Sequence, residues 1–429
     1  MLICVLAILL FPDPVVNRFI KPRITQAFAE AYPAYSLRTS DMHYSVFKNR
    51  VGFDSVALRA SDGAFSGTMG PFSVSGIHWM HLLWGGRLGS EDFASGELDA
   101  QGIALAIPQL ECKLRCKRLH VSVQDSEIVA ESIALHPVAG DEQYFMGSEF
   151  RRTRFRLEVP RCNVTGVACL ELMQGKSYRA RSVQLHNILL DILLNKDKPN
   201  SKDTVSPPMP GEILSSIKAP MKVGNLKIMN GQLKYSESFA VGSKPAWVTF
   251  DSVKALVEGI TSHAETGAVL VIDIQGVFVK AGAMKVLMSI PLGARTLSLQ
   301  YTGSLSGMDL SPINSFLEVS DQMRIKTGVL QEVTFEVNVN SGRADGSVRG
   351  IYRDLTLAAI DKKTGSEKGF SNAVTSFIAN TFKINKNNLP DQSGSLRIGV
   401  VRYTRERDDP FVRFVWFALR TGVRDVVGF

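Results

Sequence analysis

The sequence predicts a mainly β protein: an elongated antiparallel or mixed sheet built by repetition, with short covering helices and a helix at each end. Three observations predict it. Apolar and polar side chains alternate over most of the chain beyond residue 36. Turn dipeptides recur between the alternating runs. A strand–glycine–short-helix unit returns at a fixed offset. Composition agrees, because 45% hydrophobic and 21% charged residues exclude a disordered tail or a collagen-like rod. A mean hydropathy of +0.04 excludes a polytopic membrane protein, which needs several apolar runs of about 20 residues. The 429 residues suit two to three domains or one repetitive architecture.

The chain opens with a uniformly apolar run at 2–11, LICVLAILLF, ended by Pro12-Asp13-Pro14. As a helix this run covers about 15 Å, half of a hydrocarbon core. It lacks the Lys/Arg cluster that opens a secretory signal. The expectation is the tail of a membrane anchor that starts upstream of Met1; a degenerate signal peptide and a buried terminal element are the alternatives. Val16, Phe19, Ile20, Ile24, Phe28 and Ala31 then follow helical spacing, with Arg18, Lys21 and Arg23 as a basic collar. Pro22 is expected to kink this helix or start a second one. Residues 1–33 thus read as a membrane-proximal region.

Strands follow. Leu119-Val121-Val123, Phe155-Leu157-Val159, Leu297-Leu299-Tyr301 and Val333-Phe335-Val337-Val339 each alternate with polar neighbours, giving one apolar and one wet face per strand. The run at 268–280 is apolar on both faces for part of its length, with Gly276 as a candidate bulge. Ser61-Asp62-Gly63, Asn230-Gly231, Ser341-Gly342 and Asp345-Gly346 read as turns. Helical spacing returns at Phe370-Val374-Phe377-Ile378-Phe382. It returns again at Phe411-Phe414-Val415-Leu419, after an Asp408-Asp409-Pro410 start signal. Residues 196–211, rich in Lys, Asp, Ser and Pro, read as a linker between strand-rich halves at 34–195 and 212–429.

The repeat is Val74-Ser75-Gly76-Ile77 with Leu82-Leu83-Trp84-Gly85, matched at an offset of 90 by Val164-Thr165-Gly166-Val167 with Leu172-Met173-Gln174-Gly175. Leu305-Ser306-Gly307-Met308 is a looser third copy. Glycine there lets the chain turn without a Cβ clash.

These units, the amino-terminal stretch, VGNLKIMNGQLKY at 223–235 and GSVRGIYRDL at 346–355 resemble, in their order, the AsmA-like proteins of the AsmA/TamB superfamily. The resemblance covers about residues 15–425. It implies an inner-membrane anchor and a periplasmic sheet curled into a long groove, apolar inside. It also implies handling of phospholipids in outer-membrane biogenesis, with the membrane and envelope-assembly proteins as partners. The alternative is a structural assembly factor for outer-membrane proteins without lipid transport. Candidate groove-lining residues are Leu119, Val121, Val123, Val333, Phe335, Val337 and Val339, whose other reading is an ordinary filled core. Phe411, Phe414, Trp416, Phe417 and Leu419, with Arg413, Arg420 and Arg424, are candidate contacts to a membrane or a plug at the groove's end.

No enzymatic chemistry is legible. There is no GxSxG, P-loop, strand-to-helix GxGxxG or Cys-x-x-Cys. His78 and His81 lack a carboxylate at a useful interval, so no metal, catalytic residue or cofactor is expected. The five cysteines are too sparse for a disulfide framework; Cys112 and Cys116, in an extended chain, stand about 13 Å apart. Net charge is +8, which suits an anionic surface without singling one out. Arg152, Arg154 and Arg156 share one strand face, either a phosphate stripe or, as favoured here, a solvated face. Dispersed Lys/Arg without interleaved aromatics speak against nucleic acid as a partner.

Overall fold

The computed structural model describes residues 12–45, 47–77, 90–200, 206–240, 242–294, 296–360 and 384–428. The apolar stub, the His78/His81 pair, the helical part of the first repeat copy and the helix expected over 370–382 lie outside the described residues. The protein is mainly β, with twenty strands and few, mostly short helices among the described residues. It divides into two compact units: Met1–Asp141 with Phe155–Leu189, and Glu142–Arg154 with Leu190–Phe429.

The first unit is an antiparallel meander. Its strands are β1 (Tyr35–Thr39), β2 (Met42–Ser45), β3 (Arg50–Phe53), β4 (Val56–Ala60), β5 (Ser66–Met69), β6 (Phe72–Ser75), β7 (Glu97–Ile107), β8 (Cys112–Ser122), β9 (Glu127–Pro137), β10 (Thr153–Thr165) and β11 (Tyr178–His186). The short strands are halves of longer rows. The register that pairs β1 with β4 continues unbroken into β2 with β3. The same holds for β4 with β5 and β3 with β6, both of which run on to β7.

Each row breaks its pairing at the same place. Ser40-Asp41 stands opposite Asp54-Ser55, and that pair faces Gly70-Pro71. The line continues through Gln101-Gly102, Lys117-Arg118, Glu131-Ser132 and Pro160-Arg161. Gly102 and Ser132 have φ of 58° and 51° along this crease. The apolar pattern changes phase there: Leu98 and Ala100 before it, Ile103 and Leu105 after it; Leu114 and Cys116 before, Leu119 and Val121 after. Strict alternation would send one half of each strand to the opposite face. In β7 and β9 the left-handed Gly102 and Ser132 absorb the slip. Both halves stay on one side: Phe53 and Val56, on either side of the crease, share one buried core.

The amino-terminal helix is continuous from Pro12–Val15 through a π turn, Val16–Ile20, into Lys21–Ala31. Pro22 starts the last segment. The wider π turn shifts the apolar stripe. Val16, Ile20 and Ile24 pack on Met42, Val51 and Phe53, whereas Phe19 is 60% exposed.

The second unit is a longer antiparallel meander. Its strands are β12 (Leu189–Asn195), β13 (Met221–Ser238), β14 (Ala246–Thr261), β15 (Val269–Phe278), β16 (Gly282–Pro291), β17 (Leu299–Asp309), β18 (Met323–Asn340), β19 (Arg343–Ala359) and β20 (Ile398–Thr404). β13 to β20 pair in sequence order. A seven-residue helix, Asn314–Ser320, joins β18 to β14: Asn314 donates to Ile325 O at 2.9 Å and Ser315 to Trp247 O at 2.9 Å. Four strand spacings of a flat sheet are about 19 Å, and such a helix is about 10 Å long. The sheet of this unit is therefore curled.

Two expected turns are corrected. Asn230-Gly231 lies inside β13, and Asp345-Gly346 lies inside β19. Asn230, with φ of 59°, forms a bulge where the β13–β14 register shifts. Gly346 is required because a Cβ there would stand 2.2 Å from Glu336 O. Ser341-Gly342 does form the tight β18–β19 turn. Gly276 stays in register with Met284; the irregularity is opposite it in β14, between Asp251 and Lys254. In the repeat, Gly76 and Gly166 both end a strand at positive φ (71° and 65°), whereas Gly307 of the looser copy sits within β17.

The segment 196–211, where described, is bound into the second unit. Lys196 pairs with Glu237 at 2.7 Å, Asn200 with Asp408 at 2.7 Å, and Arg405 donates to Pro207 O at 2.7 Å.

Candidate functional site: an apolar sheet face in each unit

Register determines which side chains form continuous surfaces. In the first unit one ladder runs Tyr44–Val51–Val74–Leu98–Val121–Ile128–Val164–Val183. The next contains Ala100, Leu119, Ala130, Cys162 and Leu185. Below the crease, Leu105, Leu114, Leu135 and Leu157 form another. No ionisable residue other than tyrosine and cysteine interrupts them.

The amino-terminal helix covers only the first rows of this face. From β7 to β11 the face has no such cover among the described residues. Leu98, Leu114, Leu119, Val121, Leu135 and Val183 are half-buried and belong to neither buried core. Burial pushes the Cys116 and Cys162 thiols up, the latter also through the nearby Cys116. Cys116, Cys162 and Cys169 are free thiols.

The second unit repeats the pattern with a different outcome. Leu226, Val257, Ile272, Met288, Tyr301, Val337, Gly346 and Val401 lie in one register line across β13 to β20. Here the helix Phe411–Val427 lies on the face. Phe414, Ala418, Gly422 and Val426, four residues apart, are its buried stripe. Gly422 and Gly399 let the helix axis approach closely: a Cβ on Gly399 would stand 2.0 Å from Gly422 O. Tyr301 donates to Val415 O at 3.1 Å, and burial raises its hydroxyl well above the ordinary range.

The candidate lining residues therefore divide. Leu119, Val121 and Val123 are half-buried on the uncovered face. Val333 and Phe335 are half-buried, but they pack against the core of the second unit. Val337 (0% exposed) and Val339 (5%) are corrected from groove wall to core, because the carboxy-terminal helix fills the space above them. Within that helix Phe414 is fully buried, Phe411, Phe417 and Leu419 are half-buried, and Trp416 is 50% exposed. The Phe414 and Phe417 rings each lie 6.0 Å from that of Tyr403, the first tilted and the second edge-on. Asp409 does not cap the helix. It is wholly buried and accepts from Tyr403 Oη at 2.7 Å and Glu406 N at 2.9 Å.

Side chains of the terminal helices also close sheet edges. Asn17 takes both backbone groups of Met42, at 2.7 Å each, and Asp13 accepts from Tyr44 N at 2.8 Å. In the second unit Asp425 accepts from Val400 N at 2.8 Å and Thr421 from Arg402 N at 3.1 Å. Sequence reading missed this; short polar side chains on the sheet-facing side of an amphipathic helix are the signal for it.

Polar clusters have structural partners. Arg154 is paired with Asp191 at 2.8 Å and Arg156 with Asp141 at 2.7 Å, and Arg152 lies 4.3 Å from the Tyr144 ring centre, so these arginines form no open phosphate stripe. Glu406, Asp408 and Asp409 sit within 4.8 Å of one another, but Arg413 reaches all three, at 3.8, 3.3 and 3.2 Å. The best-formed clefts among the described residues, of about 190 and 270 Å³, are smaller than ordinary ligand pockets. Among the described residues, no helix is long and apolar enough to cross a membrane. No protein-family model matches the chain, and no curated protein matches it.

Proposed function

We propose that the first unit handles phospholipid acyl chains along the uncovered apolar face of β7 to β11, without catalysis, as an AsmA-like envelope protein at the inner membrane would. The observation that carries this reading is the run of apolar ladders across β7 to β10 whose large side chains, such as Leu98, Leu114, Leu119 and Leu135, stay half-buried and belong to neither buried cluster. Each methylene removed from water there contributes about 0.8 kcal/mol. A face without deep pockets holds a chain at many equivalent positions, which suits sliding better than tight binding. The basic excess of +8 is compatible with anionic headgroups. Assembly of partner proteins by strand addition finds less support, since the backbone groups of β2 and β20 named above are already taken.

The test is native mass spectrometry after exposure to phosphatidylethanolamine/phosphatidylglycerol vesicles. Wild-type protein is expected to carry phospholipid. Leu119→Glu and Leu135→Glu place a carboxylate on the face and should reduce the lipid-bound fraction at least about tenfold, with circular dichroism unchanged. Absence of lipid from the wild type, or undiminished lipid on both folded variants, overturns the reading.

A further inference from the structure

The amino-terminal helix is held at one end of the proposed lipid face by a histidine between two carboxylates. His43, on β2, has Nδ1 2.9 Å from Asp13 on the helix and Nε2 3.2 Å from Asp54, just beyond β3. Asp13 also accepts from Tyr44 N, so the same carboxylate closes the sheet edge and engages the imidazole. One turn on, Val16 is buried against Met42, Val51 and Phe53, which begin the apolar ladders. The π turn Val16–Ile20 lies at this contact, and such turns often mark functional positions in helices.

We propose that the amino-terminal helix is a gate over the first rows of the apolar face, latched by Asp13–His43–Asp54 and released when His43 loses its proton. The role of the face as a lipid surface rests on the function proposed above; the latch itself does not.

The charges around His43 favour its protonated form. Asp13 and Asp54 touch it, and Asp99 lines the same shallow cleft, held by Arg118 at 3.2 Å and His120 at 3.1 Å. A second ion pair joining helix to sheet, Lys21–Asp41 at 3.3 Å, lies next along the edge. Hydrogen bonds to Asp13 and then Asp54 raise the His43 pKa, and the hydrogen bond to His43 lowers that of Asp13. The raised His43 value means that its stabilisation of the docked helix is full below the ordinary histidine value. That stabilisation is lost as pH rises through the raised value. The lowered Asp13 value means that its contribution is present above the ordinary carboxylate value and is lost as pH falls through the lowered one. The latch is closed between these limits. Alkaline release leaves two carboxylates and a neutral ring.

Hydrogen exchange at the Met42 and Tyr44 amides, which the helix side chains accept, reads the latch without any lipid. After correction for intrinsic rates, protection in the wild type should fall about two- to fivefold between pH 6 and pH 8.5, as expected for a partly exposed ion pair. His43→Gln should show low protection throughout, with no pH step. Asp54→Asn keeps the histidine and should move the step to lower pH. Flat protection in the wild type, a step that persists in His43→Gln, or an unmoved step in Asp54→Asn overturns the latch. Lipid loading in the vesicle assay at the two pH values then tests the link to the face separately.

Discussion

Single positions show how strongly context decides the value of an apolar residue. Leu119 and Val337 both come from alternating runs, yet one is half-buried on an uncovered face and the other is 0% exposed beneath a helix. Val337→Asp should destabilise the second unit by about 3–5 kcal/mol, because the new charge has no partner there; urea unfolding measures it. Leu119→Glu should leave that transition unchanged. Gly102 gives a different test, since a Cβ there meets nothing nearer than Gly70 N at 3.7 Å. Its requirement is the φ of 58°. Gly102→Val should therefore cost about 1–2 kcal/mol, and Gly102→Asn clearly less, because asparagine visits that conformation more readily.

At the scale of elements, the terminal helices do two jobs with two faces. Their apolar stripes cover sheet, and their short polar side chains satisfy edge amides. Asp425→Ala combined with Thr421→Ala uncovers the Val400 and Arg402 N–H groups. The expected result is a loss of about 1 kcal/mol per bond and concentration-dependent self-association through β20, read by sedimentation velocity. A monomer at all concentrations would show that the edge is protected by something other than these two side chains. The amino-terminal helix uses the same device at β2, with a titratable group added. Its π turn explains why Phe19, placed on the apolar stripe by simple 3.6-residue counting, instead faces solvent.

At the scale of the whole molecule, two units share one plan and differ in what lies on the apolar face. The second unit supplies its own occupant, the helix Phe411–Val427, with Gly399 and Gly422 shaped to it. The first unit has such a core only over β1 to β6 among the described residues. That contrast motivates the proposed division of labour between a self-filled unit and one that takes a ligand. It also sets the expectation for lipid mass spectrometry: substitutions on β8 and β9 should matter, whereas the filled face should tolerate no probe without unfolding.

Much of this was legible in the residues alone. Period-two alternation identified β8, β10 and β18, because side chains on a strand project alternately and water sorts them locally. Gly76 and Gly166 marked strand ends, because only a residue without a Cβ enters those conformations cheaply. Even the crease is visible in retrospect, as paired non-lining residues such as Gln101-Gly102 that shift the apolar phase. Its alignment from strand to strand is not visible, because register is a property of pairs. Which apolar face is covered was likewise undecidable from pattern, since Val121 and Val337 present the same local signal. Only the path of a helix that begins 74 residues farther along the chain from Val337 determines burial there, and that path depends on long-range packing.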